Sequence, residues 1–261
     1  LRRRMEALGW LVAERDPDIL CLQETKVDDP LFPDTEVAAL GYQHQAFIGM
    51  KAHNGVAILS KFPLLDVETK EWGGRDDCRH ILASVVTGKP IGTLEVHSLY
   101  VPAGGNIADP IKNEKFRHKL EFLEEQTHWW EARGAGTNRV LAGDLNIAPL
   151  VSDDWPHKRL RRAVTYTEVE AIYLEHFRRA GGWADAVPQK HPNDESISTW
   201  CSFMADDWES VNTGRRLDHI WISENLKSAV QKADVFEEAL SWDAPSDHAP
   251  VIVTLDAGSR T

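Results

Sequence analysis

What this 261-residue chain has little of narrows its possibilities first. Only three cysteines occur, Cys21, Cys78 and Cys201, with no C-x-x-C spacing. That excludes a disulfide framework, and an odd set that cannot fully pair suits a reducing cytosol. No apolar run approaches the roughly 18 residues needed to cross a bilayer, so no helical membrane span is expected. No charged-then-apolar leader opens the chain. Internal repeats, low-complexity tracts and Ser/Gly-rich linkers are missing as well, so nothing marks a division into domains.

Basic residues are also outnumbered. Lys and Arg total 29 against 41 Asp and Glu, a formal net charge of −12. An acidic balance argues against a phosphate-binding face. Net charge is an average, however, and a site that holds a divalent cation needs clustered carboxylates. A bound cation and a local basic rim outweigh distant acidic surface within a Debye length of about 8–10 Å. With 42% apolar and 27% charged residues, the sequence reads as one ordered, cytoplasmic globular domain with room for a large core.

Short apolar runs alternate with helix-period segments, the pattern of a mixed α and β domain. A first helix is expected from Arg2 to about Glu14, with Met5, Leu8 and Val12 facing the core, ending before Asp16-Pro17. Ile19–Leu22 reads as a buried strand. Val37–Leu40 reads as a helix end stopped by Gly41. Asn54-Gly55 is a hairpin signal ahead of the strand Val56–Leu59. Further strands are expected at His80–Val86, Leu94–Tyr100, Val140–Ala142, Ile197–Phe203, Leu217–Ile222 and Pro250–Leu255. A long helix spans about Pro110 to Arg133, burying Phe116, Leu120, Leu123 and Trp130. Thr167 and Glu170 have capping-box spacing, opening a helix that ends near Gly181-Gly182. These strands outnumber what one parallel sheet needs, so two packed sheets covered by helices are expected.

Five polar clusters each sit at one end of an apolar strand. They are Gln23–Lys26, Ser98–Pro102, Gly143–Asn146, Arg215–Asp218 and Ser246–Pro250. Strand ends on one edge of a layered sheet protein converge, so these groups are expected to meet in one cleft. Glu24, Asp144, Asn146, Asp218 and Asp247 offer hard oxygen atoms, a set that suits Mg²⁺ or Mn²⁺ and not zinc. His248 adds a group that titrates near neutral pH, and Asp218 is placed to orient it. Carboxylates, one His and Tyr100 around a hard cation are what phosphodiester hydrolysis asks for. Taken singly, each residue has a plainer reading as a turn residue, a cap or a buried polar group.

In this order the segments QETK, SLYVP, AGDLNIAP, RRLDHIW and SDHAPV resemble the exonuclease III family of apurinic/apyrimidinic endonucleases, within the endonuclease/exonuclease/phosphatase superfamily. The likeness runs from about Leu1 to Leu255. It implies a DNase I-like sandwich of two mixed β-sheets flanked by helices. It also implies a Mg²⁺-dependent DNA repair enzyme, with Mn²⁺ a possible substitute. That enzyme would cleave duplex DNA 5′ to abasic sites, trim 3′ ends as an exonuclease and remove 3′-blocking phosphates. By the same resemblance Glu24 is the main metal carboxylate, with Asp144, Asn146, Asp247 and His248 completing the metal environment. Asp144 would move the proton, Asn146 steady the transition state, Tyr100 contact the scissile phosphate, and Asp218 orient His248. Trp200 would wall the pocket for a flipped-out sugar. Lys26, Arg75, Arg79, Trp200 and Arg215 are the expected DNA contacts. The basic run Lys158–Arg162 is either a further contact or a solvated helix face. A monomer in the bacterial cytoplasm, with the nucleoid and away from membranes, is the expectation that goes with this.

Three departures from the family stand out. The chain starts in its first helix, where relatives have a preceding strand whose end carries an Asn facing the metal. Either the sequence is incomplete at this end, the favoured reading, or the protein lacks a sheet strand, so a single catalytic domain over 1–256 is read here without its N-terminal strand, with 257–261 as a tail. Cys201 replaces a frequent second aromatic, and Met204 stands where bacterial relatives often carry Arg. Rival readings are a DNase I-like nuclease, a lipid or inositol phosphoesterase of the superfamily, and a catalytically impaired DNA-binding homologue. Tyr100 favours the exonuclease III type over the DNase I and sphingomyelinase types, which put a His there. The polar, Gly-rich loop at Val101–Ile107 argues against lipid.

Overall fold

Period-two alternation builds the centre of the molecule. The structure, a computed structural model, describes residues 1–88, 91–149, 164–191, 197–201 and 214–256. In β3 (His53–Ser60), Val56 and Ile58 point into one apolar cluster while Ala57 and Leu59 point into another. The same alternation splits β6 (Gly92–Tyr100), with Leu94 and Val96 on one side and Leu99 on the other. A strand apolar on both faces must be covered on both faces, so the chain builds stacked layers.

The larger sheet has the order β4-β5-β6-β7-β9-β8. Its strands are β4 (Leu64–Trp72), β5 (Arg75–Gly88), β6, β7 (Arg139–Asp144), β9 (Asp218–Ser223) and β8 (Trp183–Asp185). All neighbours run antiparallel except β6 and β7. That parallel pair uses the long helix α3 (Glu114–Arg133) as its crossover, as parallel strands require. Opposite lie a sheet of order β1-β3-β2 and a ribbon of β10 and β11. These strands are β1 (Ile19–Gln23), β2 (His44–Met50), β10 (Val230–Val235) and β11 (Val251–Leu255). The inter-sheet core joins Ala46, Val56 and Ile58 to Ile81, Ala83, Val85, Val96 and Ile222.

Helices close both outer faces. Helix α1 (Met5–Arg15) and α2 (Asp34–Ala39) lay Leu8 and Val37 against Leu20, Ala57 and Leu59. On the far side, α3 and α4 (Glu168–Ala180) pack Phe122, Leu123, Trp130, Leu174 and Phe177 against Leu99, Leu141, Trp183 and Trp221. A short α5 (Ala186–Lys190) follows β8. The capping box of Thr167 and Glu170 opens α4 as its spacing predicts.

Two expectations are corrected. Asn54-Gly55 is not the hairpin turn. The chain reverses at Lys51-Ala52, and Asn54 and Gly55 lie inside β3 at positive φ, where pairing with β2 is irregular. Their carbonyls accept the Lys26 and Thr25 amides, so the dipeptide seats the loop after β1. Within Ile197–Phe203, the described residues make only single bridges at Trp200, to Arg215 and His248, and no strand. Phe203, Met204, the run Lys158–Arg162 and the tail 257–261 lie outside the described residues.

Among the described residues, β1 pairs only with β3 and β11 only with β10. The residues of both strands line one cavity of about 1790 Å³, which also takes in Val96, Val140, Ile220 and Ile222. No helix of the described residues is long and apolar enough to cross a membrane.

Candidate active site

The polar end of that cavity gathers side chains from five separate strand ends. Glu24, Tyr100, Asp144, Asn146, Trp200, Asp218, Asp247 and His248 all line it. Pairing explains the convergence. Tyr100 at the end of β6 stands opposite Asp144 at the end of β7, and Asp144 opposite Asp218 at the start of β9. Gly143 permits this approach, because a Cβ there would meet the Leu99 carbonyl oxygen at 1.9 Å.

At the centre, one ligand atom each from Asp144, Asp218 and His248 lies within 4.8 Å of the others. His248 Nδ1 donates to Asp218 at 2.7 Å, and Thr199 Oγ1 donates to the same carboxylate at 2.7 Å. His248 Nε2 stands 4.0 Å from Asp144. Burial alone would lower the His248 pKa, but Asp218, Asp144 and Asp247 raise it to about 9. Burial raises the Asp144 pKa, and the neighbouring Asp218 charge adds to this, bringing it to about 8. Two carboxylates buried this close call for positive charge between them. An oxygen-rich set with one imidazole fits a hard divalent cation.

Asn146 follows in a tight turn at φ 52°. Its backbone N–H and its side-chain amide both donate to Asp144, at 2.8 and 3.0 Å, and the amide also donates to the Val101 carbonyl at 2.9 Å. On the opposite wall, Tyr100 donates its hydroxyl to Glu24 at 2.5 Å, and Lys26 pairs with Glu24 at 2.6 Å. Burial opposes ionisation of Glu24, yet Lys26 and Tyr100 hold its carboxyl below the usual range. Burial and the Glu24 carboxylate push the Tyr100 phenol upward, keeping it protonated.

The expected DNA contacts are dispersed. Trp200 donates Nε1 to Asp247 at 3.1 Å on the exposed rim. Arg215 stacks between Tyr166 and Trp200, 5.3 Å from each ring centre, and donates to Thr165 Oγ1 at 2.6 Å. Arg79 lies outside the cavity wall. Its guanidinium pairs with Asp77 and covers the Tyr100 ring at 4.8 Å, which braces the tyrosine from behind. Arg75 pairs with Glu114 at the surface. Thr199, which fixes Asp218, went unassigned in the sequence although it stands beside Trp200.

A sequence profile described as the endonuclease/exonuclease/phosphatase family matches residues 2–248. The chain is 28% identical to the exodeoxyribonuclease III of Haemophilus influenzae, over 96% of this chain and 94% of that protein. An AP endonuclease from Archaeoglobus fulgidus superposes with a TM-score of 0.87 at 29% identity, covering 98% of this chain and 95% of the other. A 3′ phosphatase from Neisseria, solved with a product DNA hairpin, superposes with a TM-score of 0.86 at 28% identity, again over 98% and 95%.

Proposed function

We propose, from the premise that the chain belongs to the endonuclease/exonuclease/phosphatase family, that it is a Mg²⁺-dependent DNA repair phosphodiesterase. It cleaves duplex DNA on the 5′ side of abasic sites, trims DNA from 3′ ends and removes 3′-terminal phosphates. The observation that carries this reading is the Asp144–Asp218–His248 cluster, in a cleft shared with Glu24, Tyr100 and Asn146. Residues 1–256 are read as one catalytic domain, because the cleft draws on side chains from Glu24 to His248.

Glu24, Asp144, Asn146 and Asp247 are the residues that would hold Mg²⁺, with Mn²⁺ a substitute, whereas His248, expected among them from the sequence, is read as serving the phosphate because Asp218 keeps it protonated. When bound, the cation supplies charge neutralisation at the phosphate and at the leaving oxygen. His248, kept protonated by Asp218, donates a hydrogen bond to a non-bridging phosphate oxygen. Asp144, ionised when the cation is held, takes the proton of the attacking water or passes one to the leaving oxygen, and burial, which raises its pKa to about 8 without a cation, suits it to hold that proton. Tyr100 stays a neutral hydroxyl that orients Glu24 and faces the phosphate. An abasic nucleotide has little stacking to lose, so its extrusion toward Trp200 selects the lesion without reading sequence.

The test uses an abasic duplex and a hairpin ending in a 3′-phosphate, each with Mg²⁺ or with EDTA. Both substrates are cleaved with Mg²⁺, EDTA abolishes cleavage, and Asp144→Asn lowers kcat by about 10²–10⁴-fold. Equal rates for wild type and Asp144→Asn would refute the assignment, as would faster hydrolysis of a lipid or inositol ester.

A further inference from the structure

Behind the cleft lies an ion pair that the chemistry above does not use. Lys119 of α3 and Glu170 of α4 have no exposed surface, and the ammonium donates to the carboxylate. Glu170 also accepts from the Thr165 and Thr167 backbone amides and from the Thr167 hydroxyl, so its charge is saturated with donors. Lys119 spends its remaining donors on backbone carbonyls, that of Asn146 at 2.8 Å and that of Ala103 at 3.5 Å. Phe116, Leu120 and Val164 form the apolar surroundings. The lysine stem runs beneath Gly104, where a Cβ would stand 3.0 Å from Lys119 Cδ.

Those two carbonyls belong to different loops. Ala103 follows Tyr100 after β6, and Asn146 follows Asp144 after β7. Asn146 sits in the left-handed region, which asparagine adopts more readily than most residues, and its amides tie it to Asp144 and Val101, while Lys119 is what joins its carbonyl to the other loop. A buried ion pair is weak ground for stability, because apolar residues of equal volume do as well or better. Here the ammonium is fixed by Glu170 on one side and bonds the Asn146 turn on the other.

We infer that Lys119, held by Glu170, is a positioning residue that locks the Asn146 turn and the Tyr100 loop in register for phosphodiester cleavage. The inference rests on the proposed nuclease reading. Its ammonium does not touch substrate. A displacement of about 1 Å at the reacting groups is enough to cost on the order of 10²-fold in rate.

The experiment compares wild type, Lys119→Met, Glu170→Gln and the double variant on the 3′-phosphate hairpin with Mg²⁺. Each single variant strands a buried charge and melts at lower temperature, whereas the double variant recovers most of the loss. A role confined to packing would restore kcat along with the melting temperature. Positioning instead leaves the double variant about 10–100-fold down in kcat, with KM within about threefold of wild type. The ¹³Cα and ¹³Cβ shifts of Asn146, read without metal or substrate, report its positive φ in wild type and its loss in the double variant. A folded double variant with kcat within threefold of wild type and unchanged Asn146 shifts overturns the inference. Wild type inert on DNA sinks the nuclease reading instead, and the Asn146 shifts still decide whether Lys119 holds the turn.

Discussion

Two imidazoles outside the cleft lining show how burial sets the acid response of this protein. His80 Nε2 and His97 Nδ1 share a hydrogen bond of 2.9 Å, both rings fully buried. Trp72 donates to His80, and Glu95 bonds His97 on its other nitrogen. Burial, then the partner ring, with Lys70 and Arg133 adding to it, lowers the His80 pKa well below 6.5. Burial lowers His97 as well, opposed by Glu95 and assisted by Arg133 and Arg139. Both rings therefore resist protonation when folded, while the unfolded chain takes up protons near pH 6.5. Their contribution is fully present above that pH and is lost below it, at up to about 1.4 kcal/mol per pH unit for each ring. Urea unfolding between pH 6.5 and 5.0 checks this against His97→Asn, whose stability is expected to fall with a shallower slope, by up to about 1.4 kcal/mol per pH unit. His248, protonated when folded, adds a slope of opposite sign that is largest near pH 6.5 and fades toward pH 5.0, and it is common to both proteins in this comparison. Neither buried ring was legible in the sequence beyond its place on a strand, because burial depends on the aromatic helix face that covers it. Lys119 was hidden in the same way, since a lysine among Glu residues on a helix reads as solvent-facing.

Elements were legible where burial is two-sided. Ile19–Leu22, Val56–Leu59 and Val140–Ala142 are apolar runs lying within observed strands, because both of their faces are covered. Strands β4 and β10 escaped notice because one faces solvent along most of its length and the other mixes Gln, Lys and Asp into its pattern. The misread Asn54-Gly55 carries a specific consequence. Gly55 lies at φ 90°, and a Cβ there would fall 2.2 Å from Thr25 Oγ1. Gly55→Ala is expected to lower stability by about 1–3 kcal/mol through strain and clash. It should also displace Glu24, whose loop rests on this dipeptide. Denaturant unfolding together with kcat on the abasic duplex checks both effects, and an unchanged kcat would refute the link.

At the scale of the whole molecule, the five polar segments were legible as a set although no single one was decisive. Their convergence follows from adjacent pairing of strand ends, which a list of motifs does not contain. The net charge of −12 was equally uninformative by itself, since part of it is concentrated in the cleft. Concentrated negative charge makes stability depend on the cation. Mn²⁺ or Mg²⁺ is expected to raise the melting temperature of wild type by linkage. Asp144→Asn removes one of two adjacent carboxylates, so it should melt higher than wild type in EDTA and respond less to Mn²⁺. Differential scanning fluorimetry reads both outcomes.

Among the described residues, Ile19–Gln23 pairs only with β3 and Val251–Leu255 only with β10, and both strands line the same cavity. Rows of unsatisfied amides and carbonyls are templates, and any extended polypeptide of suitable pattern can add to them rung by rung. An extended segment seated between these two strands would share one opening with the residues proposed for catalysis, so whatever lies along them bears on how that site is reached.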